Sequence, residues 1–179
     1  MNVKCKEYIL SDLEVWENNN KGRYKKKGSV LNAYFKDPMF KYQYWLRVRY
    51  FSKKRSFKRL FASYKLRKMS KKWLIFVPNI YIGKGMMIVH PGNIYLNAKS
   101  IGDHFTVYQG CTLGSDKGGI PLIGNNVTCY VNSVICGDIQ IGDNCTFGAN
   151  SFCNKSVGIN SIIMSYNVIK IKVSKNRNT

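Results

Sequence analysis

The stretch IGKGMMIVHPGNIYLNAK, residues 82–99, divides into three units of six residues, and each unit begins with isoleucine. After a slip of one residue at Ser100, the period continues to residue 164, with one longer unit at residues 113–122. The residues that begin the units are all apolar or cysteine: Ile82, Ile88, Ile94, Ile101, Val107, Leu113, Ile123, Cys129, Ile135, Ile141, Phe147, Cys153 and Ile159. The fifth residue of most units is also small or apolar: Ala98, Cys111, Val127, Ser133, Ile139, Cys145, Ser151, Val157 and Ile163. A fixed period held over such a length predicts a β-solenoid.

A solenoid explains this period because three short strands form one triangular coil of about 18 residues, which is three units. The first side chain of each unit then points inward and stacks on its equivalent in the next coil. Asn125, Asn126, Asp143 and Asn144 fall at corners, where Asn, Asp and Gly accept unusual backbone angles. A β-sandwich would instead need alternation with a period of two and turns about every 8–12 residues. We therefore predict a mainly β fold, a parallel solenoid with an α-helical arm in front of it.

The net charge of +20 is concentrated in the first part of the chain. Residues 1–77 contain 21 basic and 5 acidic residues, whereas residues 78–179 contain 8 basic and 4 acidic residues. A length of 179 residues fits one domain with a small appendage. We predict a basic helical arm at residues 1–77 and a solenoid domain with a C-terminal tail at residues 78–179.

Cysteine usage indicates core packing rather than disulfides or a metal site. Cys111, Cys129, Cys145 and Cys153 occupy inward positions of the repeat and are expected to act as small core residues. There is no CxxC motif or Cys/His cluster, so we expect no zinc. The first residues do not resemble a signal peptide, and no stretch has the length and apolar content of a membrane span, so we expect a cytoplasmic protein.

Helix signals divide the arm into segments. Ser11 and Glu14 have the spacing of a capping box and predict a short helix near the start of the chain. Asp37 followed by Pro38 predicts a second helix start, as a cap and a first-turn proline. The helix after it has an apolar face formed by Phe40, Tyr44, Trp45, Val48 and Phe51, with its polar residues placed elsewhere: Lys41, Gln43, Arg47 and Arg49. A further helix is expected at about residues 57–68, with Leu60, Phe61 and Tyr64 on one side.

Three roles suit a basic arm rich in aromatic residues. The first is a solvated basic face over a packed aromatic face, against the solenoid or a neighbouring subunit. The second is attachment to an anionic membrane surface, for which we select the cations Arg47, Arg49, Lys53 and Lys54. The third is nucleic-acid binding, which we rank last because no nucleic-acid motif accompanies the charge.

The two histidines differ in their surroundings. His104 lies in IGDHFT, at a corner of the predicted solenoid, and is expected to face solvent. His90 follows an apolar strand and precedes Pro-Gly, so a corner presents it at the surface. A neutral imidazole is suited to accept a proton near neutral pH, which makes His90 the candidate general base.

Four segments resemble the hexapeptide-repeat acyltransferases: GKGMMIVHPGNIYLN, VYQGCTLGS, KGGIPLIGNNV and GDIQIGDNCTFGANSF. The branch is that of serine acetyltransferase and of the O-acetyltransferases of capsule, exopolysaccharide and O-antigen synthesis. The resemblance covers roughly residues 78–172. It implies a left-handed parallel β-helix, although β-crossovers are in general right-handed. It also implies a homotrimer that binds acetyl-CoA between neighbouring solenoids.

The resemblance assigns roles to particular residues. His90 matches the family's general base, which deprotonates the acceptor hydroxyl, and backbone amides near Gly114 would hold the thioester or its oxyanion. Ser133, Ala149 and Lys155 would line the pantetheine. Lys170 or Lys172 would meet the phosphates of acetyl-CoA. The loop residues Lys117, Gly118 and Gly119 would lie beside the substrate.

Two departures from the serine acetyltransferases bear on the acceptor. They carry Asp before the histidine, where this chain has Val89, and charged residues between the Gly-Gly of the loop and its proline, where this chain has Ile120. We therefore expect a sugar hydroxyl of a polysaccharide precursor as the acceptor. Such precursors are built on lipid carriers at the inner face of the membrane, where a basic arm would be useful. The alternatives are a serine O-acetyltransferase and a non-catalytic solenoid scaffold.

Overall fold

The computed structural model describes residues 2–19 and 29–165, which form four helices followed by fourteen short strands. The helices are α1 (Val3–Asn19), α2 (Val30–Lys36), α3 (Pro38–Phe51) and α4 (Phe57–Trp73). The strands are β1 (Ile75–Phe76), β2 (Tyr81–Ile82), β3 (Met87–Ile88), β4 (Ile94–Leu96), β5 (Ser100–Ile101), β6 (Thr106–Val107), β7 (Thr112–Gly114), β8 (Leu122–Ile123), β9 (Thr128–Cys129), β10 (Val134–Cys136), β11 (Gln140–Ile141), β12 (Thr146–Phe147), β13 (Phe152–Cys153) and β14 (Ile162–Ile163). The first strand, β1, precedes the boundary predicted at residue 78.

The strands form three parallel sheets, which are the three sides of a solenoid of about five coils. Sheet 1 has the order β1-β4-β7-β10-β13, sheet 2 the order β2-β5-β8-β11, and sheet 3 the order β3-β6-β9-β12-β14. Equivalent residues of successive coils are in register, as in the stack of Ile82, Ile101, Ile123 and Ile141. Every predicted inward first residue from Ile82 to Cys153 is buried, which confirms the solenoid.

The last coil departs from the predicted period. Ile159 was expected to point inward, but this prediction is wrong, since its side chain is 67% exposed. The coil is two residues shorter than the one before it, so Val157 lies next to Ile141 and Ile163 next to Phe147. The inward position after Cys153 therefore belongs to Val157.

The sides of the solenoid meet at three corners, which we name by their contents. The histidine corner leads from sheet 3 to sheet 1 (residues 89–93, 108–111, 130–133 and 148–151). The loop corner leads from sheet 1 to sheet 2 (residues 97–99, 115–121, 137–139 and 154–156). The third corner leads from sheet 2 to sheet 3 and has positive φ angles at His104, Asn126, Asn144 and Asn160. Asparagine tolerates this conformation better than most residues, and the side chains of Asn126, Asn144 and Asn160 form a hydrogen-bonded ladder.

Side-chain caps begin three of the helices. Asp37 accepts hydrogen bonds from the backbone N–H groups of Met39 and Phe40, with Pro38 in the first turn, as predicted. Ser29 and Ser56 cap α2 and α4 in the same way. The helix predicted near the start of the chain is present as α1, but it begins at Val3, so Ser11 lies inside the helix and does not cap it. Burial of an apolar stripe stabilises this longer helix against its neighbours: Cys5, Ile9, Leu13 and Trp16.

A buried polar network joins the arm to the first coil. Arg47 donates two hydrogen bonds to the carboxylate of Asp12, at 2.8 and 2.9 Å, and two to the carbonyls of Ile82 and Gly83, at 2.5 and 2.7 Å. The N–H of Met86 donates to Asp12 Oδ1 at 2.9 Å. All of these groups belong to the first coil or to the helices beside it, so charged side chains fix the arm to the solenoid.

The network continues on α3 with Gln43 and Arg49. The Gln43 amide donates to the carbonyl of Met86 at 2.7 Å and accepts from the N–H of Ile88 at 2.8 Å. Arg49 donates to the carbonyls of Val77 and Pro78. The choice of Arg47 and Arg49 as membrane-binding cations is therefore wrong, because the backbone of the first coil already holds both guanidinium groups.

Candidate functional site

His90 projects from the histidine corner directly after β3, and its side chain is exposed. The corner that carries it is longer than its equivalents in the later coils. Register places Ile88 beside Val107 and Leu96 beside Leu113. The two inward positions are therefore eight residues apart in this coil and six residues apart in the next coil. The two additional residues lie between Val89 and Ile94, where Gly92 and Asn93 have positive φ angles. The one-residue slip that the sequence suggested at Ser100 is the net result of this longer corner and the shorter turn after Leu96.

Aromatic rings continue from His90 along the histidine corner. The ring of Tyr108 lies edge-on to His90, with 6.3 Å between the ring centroids, and Tyr130 stacks on Tyr108 at 5.0 Å. Tyr108 and Tyr130 occupy equivalent positions in successive coils, since Val107 and Cys129 are in register. The equivalent position in the coil before is Val89, the residue that precedes His90. No hydrogen bond to the imidazole of His90 occurs within residues 2–19 and 29–165. Both ring nitrogens are therefore available to a substrate or to a neighbouring molecule.

The loop at residues 115–121 is a small hairpin that projects from the loop corner. The backbone groups of Asp116 and Gly119 exchange two hydrogen bonds, at 3.0 and 3.1 Å. The two residues between them, Lys117 and Gly118, have φ angles of 48° and 85°. Two positive φ values in a two-residue turn match type I′ geometry, which favours glycine. Lys117 is exposed at the tip of the hairpin.

The glycines of this region serve two different purposes. A Cβ on Gly119 would lie 2.3 Å from Cβ of Asp138, so the fold needs glycine for the hairpin to pack on the next coil. A Cβ on Gly114 would meet nothing closer than 3.5 Å, and its φ is not positive. The protein interior therefore does not require glycine at position 114. Gly114 itself is buried, at the end of β7 beside the loop.

The structure places the remaining candidates at two corners. Ala149 is exposed at the histidine corner, three coils beyond His90, and Lys155 is exposed at the loop corner beyond β13. Ser133 does not fit its assignment to the pantetheine. Its side chain is 1% exposed and lies inside the solenoid, where its hydroxyl is 3.3 Å from Sγ of Cys111. Lys170 and Lys172 lie outside the described residues.

These positions divide the candidate site into two halves. His90 and Ala149 belong to the histidine corner. Lys117 and Lys155 belong to the loop corner, and Gly114 ends β7 directly before that corner. The two corners bound opposite ends of sheet 1, with the strand β4 or β7 between them. One chain therefore presents the two halves at opposite ends of one side of the triangle and does not bring them together.

Gln109 lies at the same corner as His90, and the sequence reasoning gave it no role. It lies at the histidine corner one coil beyond Gly92, whose added Cβ would be 3.9 Å from Cβ of Gln109. Its Oε1 is buried and accepts no hydrogen bond from any described residue. A buried acceptor without a partner is costly, and this one lies at the corner that carries His90. The sequence offered one signal for Gln109, because the segment VYQGCT lies one coil after the corner that carries His90.

The cysteines near the histidine corner are not nucleophiles. Burial raises the pKa of the Cys111 thiol, and the hydrogen bond with Ser133 opposes this effect. Burial also raises the pKa of Cys129 well above its ordinary value. Both thiols are thus protonated at neutral pH and serve as core residues, as the repeat predicted. In the described part of the chain, no three His, Cys, Asp or Glu side chains form a group that could hold a metal ion.

His104 is separated from both halves of the candidate site. It is exposed at the third corner, with a φ angle of 55°, as expected for a solvent-facing corner residue. Its position is equivalent to those of Asn126 and Asn144 in the next coils. Among the two histidines, only His90 lies on a corner that bounds sheet 1.

A comparison of the sequence with known proteins finds proteins named serine acetyltransferase. A protein of Staphylococcus epidermidis named serine acetyltransferase is 41% identical over 85 residues, which are 45% of this chain and 40% of the relative. A protein of Staphylococcus aureus with the same name is 38% identical over 85 residues. The match thus spans about two fifths of the length of these curated relatives. No family model matches the chain.

Solved structures extend the likeness to nearly the whole chain. Serine acetyltransferase of Brucella abortus superposes with a TM-score of 0.75 at 19% identity, over 90% of this chain and 66% of that one. A second Brucella abortus structure, in complex with Coenzyme A, gives 0.76 at 18% identity, over 93% and 67%. Isoform 3 of Entamoeba histolytica, in complex with cysteine, gives 0.73 at 20% identity, over 97% and 63%. The solenoid is therefore a left-handed hexapeptide-repeat β-helix, similar in sequence and fold to the acyltransferases of the serine acetyltransferase branch.

Proposed function

We propose that this chain is an acetyl-CoA-dependent O-acetyltransferase in which His90 is the general base. The observation that carries the proposal is the exposed His90 imidazole, which has no hydrogen-bond partner in residues 2–19 and 29–165 and stands on a corner longer than its equivalents. A relative named serine acetyltransferase matches 45% of the chain, and a neighbour of the same fold was solved with Coenzyme A. These comparisons support acetyl-CoA as the donor.

The proposed reaction is direct transfer between the two substrates. One ring nitrogen of His90 takes the proton of the acceptor hydroxyl while the hydroxyl oxygen attacks the thioester carbon. Backbone N–H groups beside Gly114 stabilise the negative charge that develops on the carbonyl oxygen. The carbon–sulfur bond then breaks, and the proton moves from His90 to the departing sulfur. The products are an O-acetyl ester and the free thiol of coenzyme A.

The proposal needs two copies of the chain at each site. The histidine corner and the loop corner lie at opposite ends of sheet 1, so His90 of one copy must meet the loop of a neighbour. A cyclic trimer provides three equivalent sites of this kind. Ala149 then belongs to the wall that His90 supplies, and Lys155 to the wall opposite. We propose that Lys172 extends this second wall towards the phosphates of acetyl-CoA.

Serine is the first acceptor to test, since the relatives at 41% and 38% identity are both named serine acetyltransferase. A sugar hydroxyl is the second acceptor, and a specific observation favours it. The segment from Gly118 to Pro121 contains Ile120 and no charged residue, so it lacks groups to hold the ammonium and carboxylate of an amino acid. The two acceptors are separated by their rates at equal concentration.

The first experiment measures release of the coenzyme A thiol from acetyl-CoA, with L-serine or nucleotide sugars as acceptors. A general base contributes about 10²–10⁴-fold, so His90→Ala is expected to lower kcat by that factor and leave the affinity for acetyl-CoA nearly unchanged. His104→Ala is the matched control and is expected to keep the wild-type rate. Equal rates for the two variants would show that His90 is not the base. No release with any acceptor, and no thermal stabilisation by acetyl-CoA, would indicate a non-catalytic scaffold.

A mixing experiment tests the shared site. His90→Ala and Gly114→Leu each disable one wall, and neither variant alone should transfer acetyl groups. Mixed in equal amounts and allowed to reassemble, they should recover about one quarter of the wild-type rate, because one interface in four then combines two intact walls. No recovery in mixtures that sediment as mixed trimers would place both walls in one chain.

A further inference from the structure

Helix α4 has two apolar sides, and the protein core covers one of them. Ala62 and Leu66 are buried, and Met69 and Trp73 pack against the core. The opposite side carries four large apolar residues that are between 43% and 82% exposed: Phe57, Leu60, Phe61 and Tyr64. Their spacing of three and four residues places them on a single face over the first two turns. This outward face of α4 is unusual for a soluble surface, where exposed apolar residues are normally scattered.

All charged residues of α4 are basic. The helix contains seven basic residues and no acidic residue: Lys58, Arg59, Lys65, Arg67, Lys68, Lys71 and Lys72. The ammonium groups of Lys65 and Lys68 lie 5.2 and 5.9 Å from the ring centroids of Phe61 and Tyr64. None of the salt bridges in the described part of the chain involves a residue of α4. The helix therefore presents cations beside exposed rings, without the carboxylates that commonly neutralise a basic helix.

An apolar cavity adjoins this surface. It has a volume of about 500 Å³, and its walls include the side chains of Tyr44, Trp45, Phe51 and Phe61. The exposed residues Lys53 and Lys58 also line it. Phe61 belongs both to the cavity and to the outward face of α4, so apolar surface is continuous from the helix into the molecule. Such continuity suits a partner that offers apolar chains below a layer of negative charge.

We propose that the outward face of α4 is a docking surface for an anionic lipid bilayer. The face combines lysines and arginines with exposed aromatic and leucine side chains, which is the composition of helices that lie in the membrane interface. Phe57, Leu60 and Phe61 enter the boundary between headgroups and acyl chains, while Arg67, Lys68 and Lys71 meet the lipid phosphates. The surface lies on α4 and not on α3, where Arg47 and Arg49 are bound to the first coil.

A second copy of the chain fits this face less well. A symmetric contact through α4 would bring lysines and arginines of one copy close to those of the other, with no acidic residue of the helix between them. Like charges that face each other weaken such a contact. A bilayer rich in anionic lipid has the opposite charge and also accepts the apolar residues. Docking of α4 on a bilayer does not depend on any step of the proposed acetyl transfer. Each of the two proposals can therefore be tested and rejected without the other.

The test is co-sedimentation of the full chain with vesicles of phosphatidylcholine, with and without phosphatidylglycerol. Wild type is expected to bind the vesicles that contain phosphatidylglycerol and to dissociate in 1 M salt, where the screening length falls to about 3 Å. Arg67→Gln/Lys68→Gln/Lys71→Gln should weaken vesicle binding about a hundredfold. Each of these three cations contributes about equally to the attraction by an anionic bilayer, and the variant removes all three contributions. Phe57→Ser/Leu60→Ser should weaken it at least about tenfold.

Matched controls lie on α1, where Lys4, Lys6 and Leu10 are exposed. Lys4→Gln/Lys6→Gln and Leu10→Ser are expected to bind vesicles like the wild type. Equal binding to both vesicle types, or wild-type binding by both α4 variants, would overturn the proposal. If Phe57→Ser/Leu60→Ser instead reduces the sedimenting mass of the protein in solution and leaves vesicle binding intact, the face is an interface between copies.

Discussion

The helical arm and the solenoid bury polar groups in opposite ways. The buried polar residues of the arm are Asp12, Gln43 and Arg47, two of them charged, whereas those of the described solenoid are the serines Ser133 and Ser151. Inside the solenoid, each strand pairs with equivalent strands of the coils before and after it. The backbone N–H and C=O groups of each strand therefore find hydrogen-bond partners in the neighbouring coils. The buried side chains do not have to supply these partners and can be apolar.

The first coil lacks such a neighbour on one side, since β1, β2 and β3 are the edge strands of their sheets. The buried side chains of the arm supply the missing partners. Arg47 and Gln43 donate to the carbonyls of Ile82, Gly83 and Met86, and Asp12 accepts from the N–H of Met86. Repeat proteins generally need a cap of this kind at their ends. The comparison shows that the charged residues of the arm close the solenoid.

The largest effect is expected where this cap is broken. Asp12→Ala leaves the Arg47 guanidinium buried without its carboxylate, and should lower the free energy of unfolding by about 3–5 kcal/mol. Glu7→Ala is the control, because it removes an exposed ion pair with Lys84 and should cost less than about 1 kcal/mol. Urea denaturation measures both. Similar losses would mean that the buried network does not hold the arm on the first coil.

The second prediction compares two isoleucines that each begin a six-residue unit of the solenoid. Ile135 is fully buried in sheet 1, and Ile135→Ala should lower the free energy of unfolding by about 2–5 kcal/mol through lost contacts and a cavity. Ile159 lies outside the core because the last coil is short. Ile159→Ala should therefore change the free energy of unfolding by less than about 0.5 kcal/mol. The same denaturation experiment decides between them. A comparable cost at Ile159 would indicate that another part of the protein covers the last coil.

The smallest effect on stability is expected at Gly114. Gly114→Ala adds a methyl group that meets only ordinary contacts, so the free energy of unfolding should change by less than about 0.5 kcal/mol. Gly119→Ala, in contrast, pushes the hairpin off Asp138 and should cost about 1–3 kcal/mol. Acetyl transfer should fall in both variants, in Gly114→Ala without any loss of stability. Normal kcat and KM for acetyl-CoA in Gly114→Ala would remove this backbone from the site.

Much of the solenoid was predictable because its information is local and repeated. Each inward position, such as Ile101 or Val107, meets the same surroundings one coil away, so the period alone identifies it. The prediction failed where a coil changes length, at Ile159, because a two-residue deletion shifts the register without changing the residue types. It also failed at Ser133, where a small polar residue suits either a groove or the interior, and its hydrogen bond with Cys111 keeps it inside.

The sequence by itself determined the coil, the exposed corner position of His90 and the projecting loop at residues 115–121. It did so because strand period, corner residues and insertions are properties of neighbouring residues. Only the tertiary structure decided that His90 and Gly114 lie at opposite ends of sheet 1, and that Arg47 is buried. The reason is that both facts depend on partners far away in the chain. A guanidinium group is buried only where a carboxylate and free carbonyls converge on it, and no local pattern around Arg47 records the positions of Asp12 and Ile82.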